Sequence, residues 1–419
     1  MSKKILVLSF TFPPYQDVGA RRWTKFCKEL IKAGHDVRAI TFDFGRPKDN
    51  CNWIRDIQTY KDRIEYFPSR YPRWLENPKS LTDKIMYRLS LFYVKQFAKG
   101  NYYDKSAFLR QTVKREVGKK IKQGYTNVIV SCAPFKLALW VSELKAEFPG
   151  INFIADFRDP WVDNAVLYGL SSMSPERQAF ERAAEKTVVD TADVVVSVAD
   201  EMTDYFRQLS PSSKAKFITI KNGFDPDDFE QQKNSLRPES DRGKLKLIFV
   251  GSIYDKALHH VFELIQALAS LQKKQPDVYE NVILEFYGSY SPEVRTRSAD
   301  HKNIRFLGNI PNSQIYQKIK DADGCMTFLT DEITYCFNTK FFEYLSERKP
   351  IMIFSKPGSA SQYIIENNLG YLFEPGHVEA SLVKVYTDFK NGSLLNNPSF
   401  DISEFNIRNL TKEVENLLK

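Results

Sequence analysis

The feature that most restricts the fold is an alternation between short apolar runs and amphipathic stretches of helical period. "KILVLSF" (4–10) opens it with an almost unbroken apolar run. A strand buried on both faces reads this way, because neither face meets water. A polar loop, "TFPPYQDV", follows. Gly19 then opens "ARRWTKFCKELIKA", where Trp23, Phe26, Cys27, Leu30 and Ile31 recur at helical spacing. Gly34 is suited to end that helix, and "HDVRAIT" is the next strand. Strand, helix, strand is a βαβ unit.

The alternation returns at "TNVIVSCAPF", "KLALWVSELKAEF" and "FIADF". It continues with a long helix from about 175 to 190, the strand "ADVVVSVA" and the helix "DEMTDYFRQL". "NGFDPDDF" and the polar run "EQQKNSLRPESDRGK" read as a linker. At Leu245 the pattern restarts with "LKLIFVG", a loop "SIYDKA" and the helix "LHHVFELIQALASL". "NVILEFYGS", "NIRFLGNI", "DGCMTFL" and "PIMIF" are further strands. The expectation is α/β, with two doubly wound, Rossmann-like domains at 1–235 and 243–400. The amphipathic stretch 401–419 forms a last helix.

The 419 residues, 42% hydrophobic and 14% aromatic, are enough for two cored domains. A net charge of +8 favours anionic partners. The five cysteines are scattered, with no CxxC or Cys/His cluster, which argues against a disulfide framework or zinc site. The opening apolar run is too short for a signal peptide, and no stretch reaches the roughly 18 apolar residues of a membrane span. A cytoplasmic location is expected. Residues 84–124 carry eleven Lys/Arg against two acids, interleaved with aromatics. They read either as basic helices covering the sheet or as a face for an anionic membrane surface. No nucleic-acid-binding motif is present, so no nucleic-acid partner is expected.

Four places could carry chemistry. In open parallel sheets, ligands bind beyond the carboxyl ends of the strands. Gly19 begins a helix, where free N–H groups favour an anion and a missing Cβ lets one approach. Lys256 follows Gly251 by five residues, where it can meet a diphosphate as a point charge or stand on the surface. His259 and His260 read as helix residues. In "NTKFFEYLSERKPIMIF", Asn338 suits an N-cap, and Thr339 and Lys340 occupy the first turn. Phe341, Tyr344 and Leu345 form the packing stripe. Glu343 faces away from it, as either a solvated carboxylate or an acceptor for two ribose hydroxyls. Last, Asp156, Arg158 and Asp159 of "ADFRDPW" crowd the end of a buried strand. There charges must be paired or used.

Taken in order, "FTFPPYQDVGAR", "SCAPF", "ADFRDPW", "IKNGFDPDDF", "FVGSIYDK", "FLGNIP" and "NTKFFEYLSERKPIM" resemble the GT-B glycosyltransferases. They are closest to the retaining family-four type that builds bacterial capsule, O-antigen and other polysaccharides. The resemblance implies two domains facing across a cleft, the first on the acceptor side and the second holding a nucleotide-diphosphate sugar. It implies that Glu343 binds ribose, as the second Glu of the family's E-x7-E motif. Asn338, Thr339 and Lys340 would lie by the sugar and phosphates, Lys256 and Ser252 at the diphosphate, and Ile310 at the base. Gly19 would approach the diphosphate from the first domain, and Arg158 and Asp159 would orient the acceptor or sugar. The C-terminal helix would cross back to the first domain. Tyr335 stands where the family has its first motif Glu. No His lies between His35 and His259, so the family's N-terminal catalytic His has no counterpart.

The implied function is a hexosyltransferase acting with retention on a lipid-linked or polysaccharide acceptor, peripheral to the inner face of the membrane. No DxD pair is evident to hold a metal; "PDD" at 226–228 lies in the linker. No metal or cofactor is therefore expected beyond the sugar nucleotide. The alternatives are a non-catalytic nucleotide-sugar scaffold or sensor and a nucleotide-sugar 2-epimerase.

Overall fold

A computed structural model describes residues 2–15, 18–43, 51–75, 80–163, 169–229 and 238–419; Val18, Asn312 and Ser313 are described by backbone alone. Gln16 and Asp17 of the first polar loop and residues 230–237 of the predicted linker lie outside it. The chain divides into two compact units, Met1–Lys221 with Ile407–Lys419, and Asn222–Asn406.

The first unit is built on a seven-stranded sheet. Its strands are β1 (Lys4–Leu8), β2 (Asp36–Asp43), β3 (Ile64–Pro68), β4 (Asn127–Cys132), β5 (Asn152–Phe157), β6 (Val194–Ser197) and β7 (Lys216–Thr219). Their order is β3-β2-β1-β4-β5-β6-β7, and each pairing is parallel. Every residue of β4 and β5 is buried, the polar Asn127, Ser131, Asn152 and Asp156 included. The helix Arg21–Lys32 returns the chain from β1 to β2, and Gly34 follows it at φ +91°. Such a backbone suits glycine, which has no Cβ to clash. The C-terminal helix Ile407–Glu415 belongs to this unit: Ile407, Leu410 and Val414 pack in the cluster that holds Trp23, Phe26 and Leu30. His35 reaches Glu415 at 2.8 Å, and Asn152 donates to the Leu417 carbonyl at 2.8 Å.

The second unit carries a six-stranded sheet. Its strands are β8 (Leu245–Ser252), β9 (Val282–Ser289), β10 (Ile304–Gly308), β11 (Gly324–Phe328), β12 (Ile351–Phe354) and β13 (Gly370–Phe373). The order β10-β9-β8-β11-β12-β13 is again parallel throughout. One residue before their ends, β8 and β9 carry a glycine pair, Gly251 beside Gly288. A Cβ on Gly288 would lie 2.0 Å from the Gly251 carbonyl oxygen, and Gly288 has φ +126°, so the strand ends approach as only glycine permits.

Two expectations about organisation change. The chain passes between units at Lys221/Asn222, at the start of the stretch read as a linker and ahead of the split expected at 235–243. Pro238–Lys244 is part of the second unit and not free linker. There Asp241 is buried and bonded twice to the Arg305 guanidinium, at 2.6 and 2.8 Å. That guanidinium holds the Asp241 carboxyl well below the usual carboxylate range.

Candidate functional site

In each sheet the strand order reverses at a switch point, between β1 and β4 and between β8 and β11. Loops leaving the carboxyl ends there diverge and leave room for a ligand. Each sequence-predicted site residue lies at or near a carboxyl end of its own unit's sheet.

In the first unit, "SCAPF", "FRDPW" and Gly19 meet. Arg158 leaves the end of β5 and turns back over the loop after β4. Its Nη2 donates to the Ala133 carbonyl at 2.8 Å and its Nε to the Cys132 carbonyl at 3.3 Å. The guanidinium then fills the space a side chain at position 19 would need: a Cβ on Gly19 would lie 2.8 Å from Arg158 Nη1. Gly19 thus has a reason within the chain itself. Trp161 stacks on Phe135, with ring centroids 5.1 Å apart and an interplanar angle of 7°, and its indole N–H donates to Glu181 at 2.7 Å. This fixes the loop that carries Asp159. Asp159 is partly exposed and makes no hydrogen bond or ion pair among the described residues.

Asp156 has a different fate from its neighbours. It is fully buried and receives Arg22 through two bonds of 3.0 Å and the Trp23 indole N–H at 2.7 Å. Arg22 also donates to the carbonyls of Ile220 and Lys221, each at 2.9 Å. The structural ion pair in this motif is Asp156–Arg22, which leaves Arg158 and Asp159 free of it.

If Arg158 acts from this position, Gly19→Ala should displace its guanidinium. Activity is then expected to fall roughly 10- to 100-fold, as small misplacements do, with little change in melting. The same substitution should cost nothing further in an Arg158→Ala background, a non-additivity read by a double-mutant cycle.

The first unit also holds a buried group that no motif singles out. Glu185, on the helix Pro175–Thr191, accepts from Tyr205 Oη at 2.9 Å and from the Val162 N–H at 3.3 Å. Burial pushes its carboxyl up to about 7. A group whose pKa is raised on folding stabilises the protein below its unfolded value near 4.5 and loses that contribution as pH rises through the folded value. Glu185→Gln should therefore melt higher than wild type above pH ~7.5 and close to it below pH ~4.5, in melting curves taken across that range.

In the second unit the helix Thr339–Ser346 follows β11. Asn338 is its N-cap, as expected: its Oδ1 accepts from the Phe341 N–H at 3.0 Å. Its Nδ2 donates to Thr327 Oγ1 on β11 at 2.8 Å, which pins the helix start to that strand. Phe341, Tyr344 and Leu345 are buried in one cluster with Ile248, Cys325 and Ile353. The Tyr344 hydroxyl accepts from the Val250 N–H at 3.0 Å and ties the helix to β8.

Glu343 is not a solvated carboxylate. It is 1% exposed. Lys340, one turn earlier, covers it at 2.6 Å and is itself the more exposed partner. Lys256 sits in the turn Asp255–Ala257 after β8, ion-paired with Glu332 from the loop after β11. Ser252 is exposed at the last residue of β8, and Thr339 is half-buried at the helix start. Ile310 follows β10 and packs at the margin of the same apolar cluster. The turn Pro226–Asp228 is capped by Asp225, and Asp228 accepts from Tyr316 Oη at 3.1 Å.

Two further features at this end escaped the sequence reading. Lys356, after β12, pairs with Asp331 at 2.7 Å. His259 and His260 also turn towards Asp331, with Nε2 atoms at 3.3 and 3.9 Å from its Oδ1. Burial brings His260 down to about 4, so it stays neutral at pH 7. Adjacent histidines on a helix gave no spacing signal; only the fold brings Asp331 to them. The carboxyl end of this sheet thus gathers Lys256, Lys340 and Lys356, each on a carboxylate, from three different connections.

No protein-family model matches the chain, and no curated protein sequence does. Its fold is nevertheless well represented among solved structures. Sucrose-phosphate synthase from Thermosynechococcus elongatus superposes with a TM-score of 0.60 at 14% identity, covering 99% of this chain and 95% of that one. WaaG, a glycosyltransferase involved in lipopolysaccharide biosynthesis, gives 0.55 at 14% identity, over 99% and 100%. A UDP-forming trehalose-phosphate synthase from Burkholderia xenovorans gives 0.58 at 14% identity, over 99% and 95%. Two parallel α/β units in this arrangement of strands are the GT-B glycosyltransferase fold.

Proposed function

We propose that the chain is a glycosyltransferase that moves a sugar from a nucleotide-diphosphate donor to a hydroxyl of a lipid-linked or polysaccharide acceptor. The reaction retains the anomeric configuration and needs no metal. The observation that carries this reading is the carboxyl end of the second sheet. Three lysines, each held on a carboxylate, stand at that end, and the Asn338-capped helix there carries the buried carboxylate Glu343 under one of them, Lys340. On this reading the donor ribose binds Glu343 once Lys340 swings off it. The diphosphate takes Lys256 from Glu332, a trade of one exposed ion pair for another interaction, which costs about 1 kcal/mol or less. Ser252, Asn338, Thr339 and Lys340 border the sugar and phosphates, and Ile310 the base.

The chemistry follows from where charge develops. The bond from the anomeric carbon to the diphosphate oxygen breaks, and negative charge grows on the leaving group. A new bond forms from the acceptor oxygen on the same face, and the hydroxyl proton passes to the departing diphosphate. Lysines and helix N–H groups fixed before the reaction stabilise that charge without reorganising. Gly19, Arg158 and Asp159 serve from the first unit, with Asp159 the open carboxylate that can orient the acceptor hydroxyl. Donor supply sets the working compartment as the cytoplasm.

A thermal-shift panel of sugar nucleotides, with UDP, GDP and ADP and with EDTA present, tests the reading. Ligand that binds only the folded state raises the melting temperature by mass action. One base and sugar should stabilise the protein, and EDTA should not abolish the shift. Stabilisation that requires a divalent ion would overturn metal independence and direct attention to His259, His260 and Asp331. No shift with any donor would count against donor binding.

A further inference from the structure

Of the basic segment 84–124, the second half is not a free charged face. On the helix Arg110–Lys122, Arg110 pairs with Glu143 at 2.7 Å and Lys119 with Glu116 at 3.0 Å, while Lys114 reaches Glu147. Lys120 is taken by Glu65. The first half differs in kind.

The helix Leu81–Phe97 starts from a capping box: the Asp83 N–H donates to Ser80 Oγ at 3.0 Å, and the Ser80 N–H to Asp83 Oδ2 at 2.9 Å. The box fixes where the helix begins. Its inner side is anchored, with Val94 buried in a cluster with Tyr71, Tyr102, Leu170 and Met173. Its outer side is apolar. Leu81 is 81% exposed, Ile85 60%, Leu89 58%, Phe92 64% and Phe97 67%. At about 100° per residue, positions 81, 85, 89 and 92 fall on one stripe, and 84, 88 and 95 on the stripe beside it. Those three are Lys84, Arg88 and Lys95. All are exposed, and among the described residues none meets a carboxylate. A continuous apolar stripe of this length left in water marks an interaction surface.

We infer that the helix Leu81–Phe97 docks on an anionic lipid bilayer. The apolar stripe enters the boundary between headgroups and acyl chains, and Lys84, Arg88 and Lys95 lie along its edge on lipid phosphates. The charge pattern selects this occupant. A second copy of the chain would bring the same cationic edge against itself, whereas an anionic surface complements it. The helix has 17 residues and is not long and apolar enough to cross a membrane, so it lies in the interface. This inference stands apart from the sugar-transfer reading, because it rests on this helix alone.

The test is sedimentation of the full-length chain with vesicles of phosphatidylcholine alone and of phosphatidylcholine mixed with phosphatidylglycerol. Wild type should pellet with the anionic vesicles and weakly with the neutral ones. Leu89→Ser/Phe92→Ser and Lys84→Glu/Arg88→Glu should each lower partition about tenfold or more, at unchanged melting temperature. Wild type staying in solution with anionic vesicles, or both variants binding as wild type does, overturns the inference. So does a concentration-dependent dimer, seen by light scattering, that Leu89→Ser/Phe92→Ser abolishes without any vesicle binding. That result would assign the face to a second copy.

Discussion

Glu343→Ala is expected to weaken donor affinity by roughly 100-fold or more while shifting the melting temperature by only a few degrees. A hydrogen bond to a charged acceptor contributes about 1.5–3 kcal/mol. Two ribose hydroxyls on one carboxylate would therefore give about 3–6 kcal/mol, and each 1.4 kcal/mol is tenfold in affinity. The stability change is small because the partner left behind, Lys340, can rotate into solvent. The reverse pattern is equally readable. If the Lys340–Glu343 pair serves the fold alone, Glu343→Ala lowers the melting temperature and leaves titrations with sugar nucleotide unchanged. Isothermal titration beside a melting curve separates the two.

The largest loss of stability should come from Asp156→Ala. Its carboxylate is buried between Arg22 and the Trp23 indole, and removing it strands a buried guanidinium. Breaking a buried pair by deleting one partner costs about 3–5 kcal/mol. The first-unit transition should fall by about 10 °C, on the usual relation between stability and melting for a unit of this size. Calorimetry reads this directly. A fall of less than about 2 °C would mean that the pair is not what holds the helix Arg21–Lys32 to β5.

Much of this architecture was legible in the sequence, for a physical reason. β1, β4, β5, β8 and β11 are buried on both faces, so their apolar runs stand out without any alternation to interpret. The helix Asp200–Leu209 follows its polar start residue for residue. The strands that escaped notice are β3, β7 and β13. They lie at sheet edges and run only four or five residues, and β3 and β7 are partly exposed, which leaves too short a pattern to show a period. The linker reading began at Asn222, where the units divide, but the split was set in the more polar run after it, where the composition changes most.

The candidate site was half legible. Asn338 as a cap and the stripe Phe341, Tyr344 and Leu345 follow from local rules that tertiary packing only reinforces. Glu343 was expected only to face away from the packing stripe, as a solvated carboxylate or a ribose acceptor, and its burial under Lys340 depends on neighbours that a helical pattern does not contain. The same limit applies to Asp156. Three charges in four residues signal cost, but which one finds a partner depends on Arg22, 134 residues away in sequence. Glu185 and Lys356 came only from the fold, since neither sits in a motif.

The measurement that bears most directly on the central claim is donor turnover. The sugar nucleotide chosen by thermal shift, labelled in its sugar, is incubated with the protein and a lipid extract as acceptor. Free nucleotide diphosphate and label in the lipid or glycan fraction are then followed with time. The account predicts release of the diphosphate matched by label in the acceptor, lost in Glu343→Ala and Lys256→Ala. Tight donor binding with no release and no transfer would contradict it, and would make the chain a nucleotide-sugar binder and not a transferase.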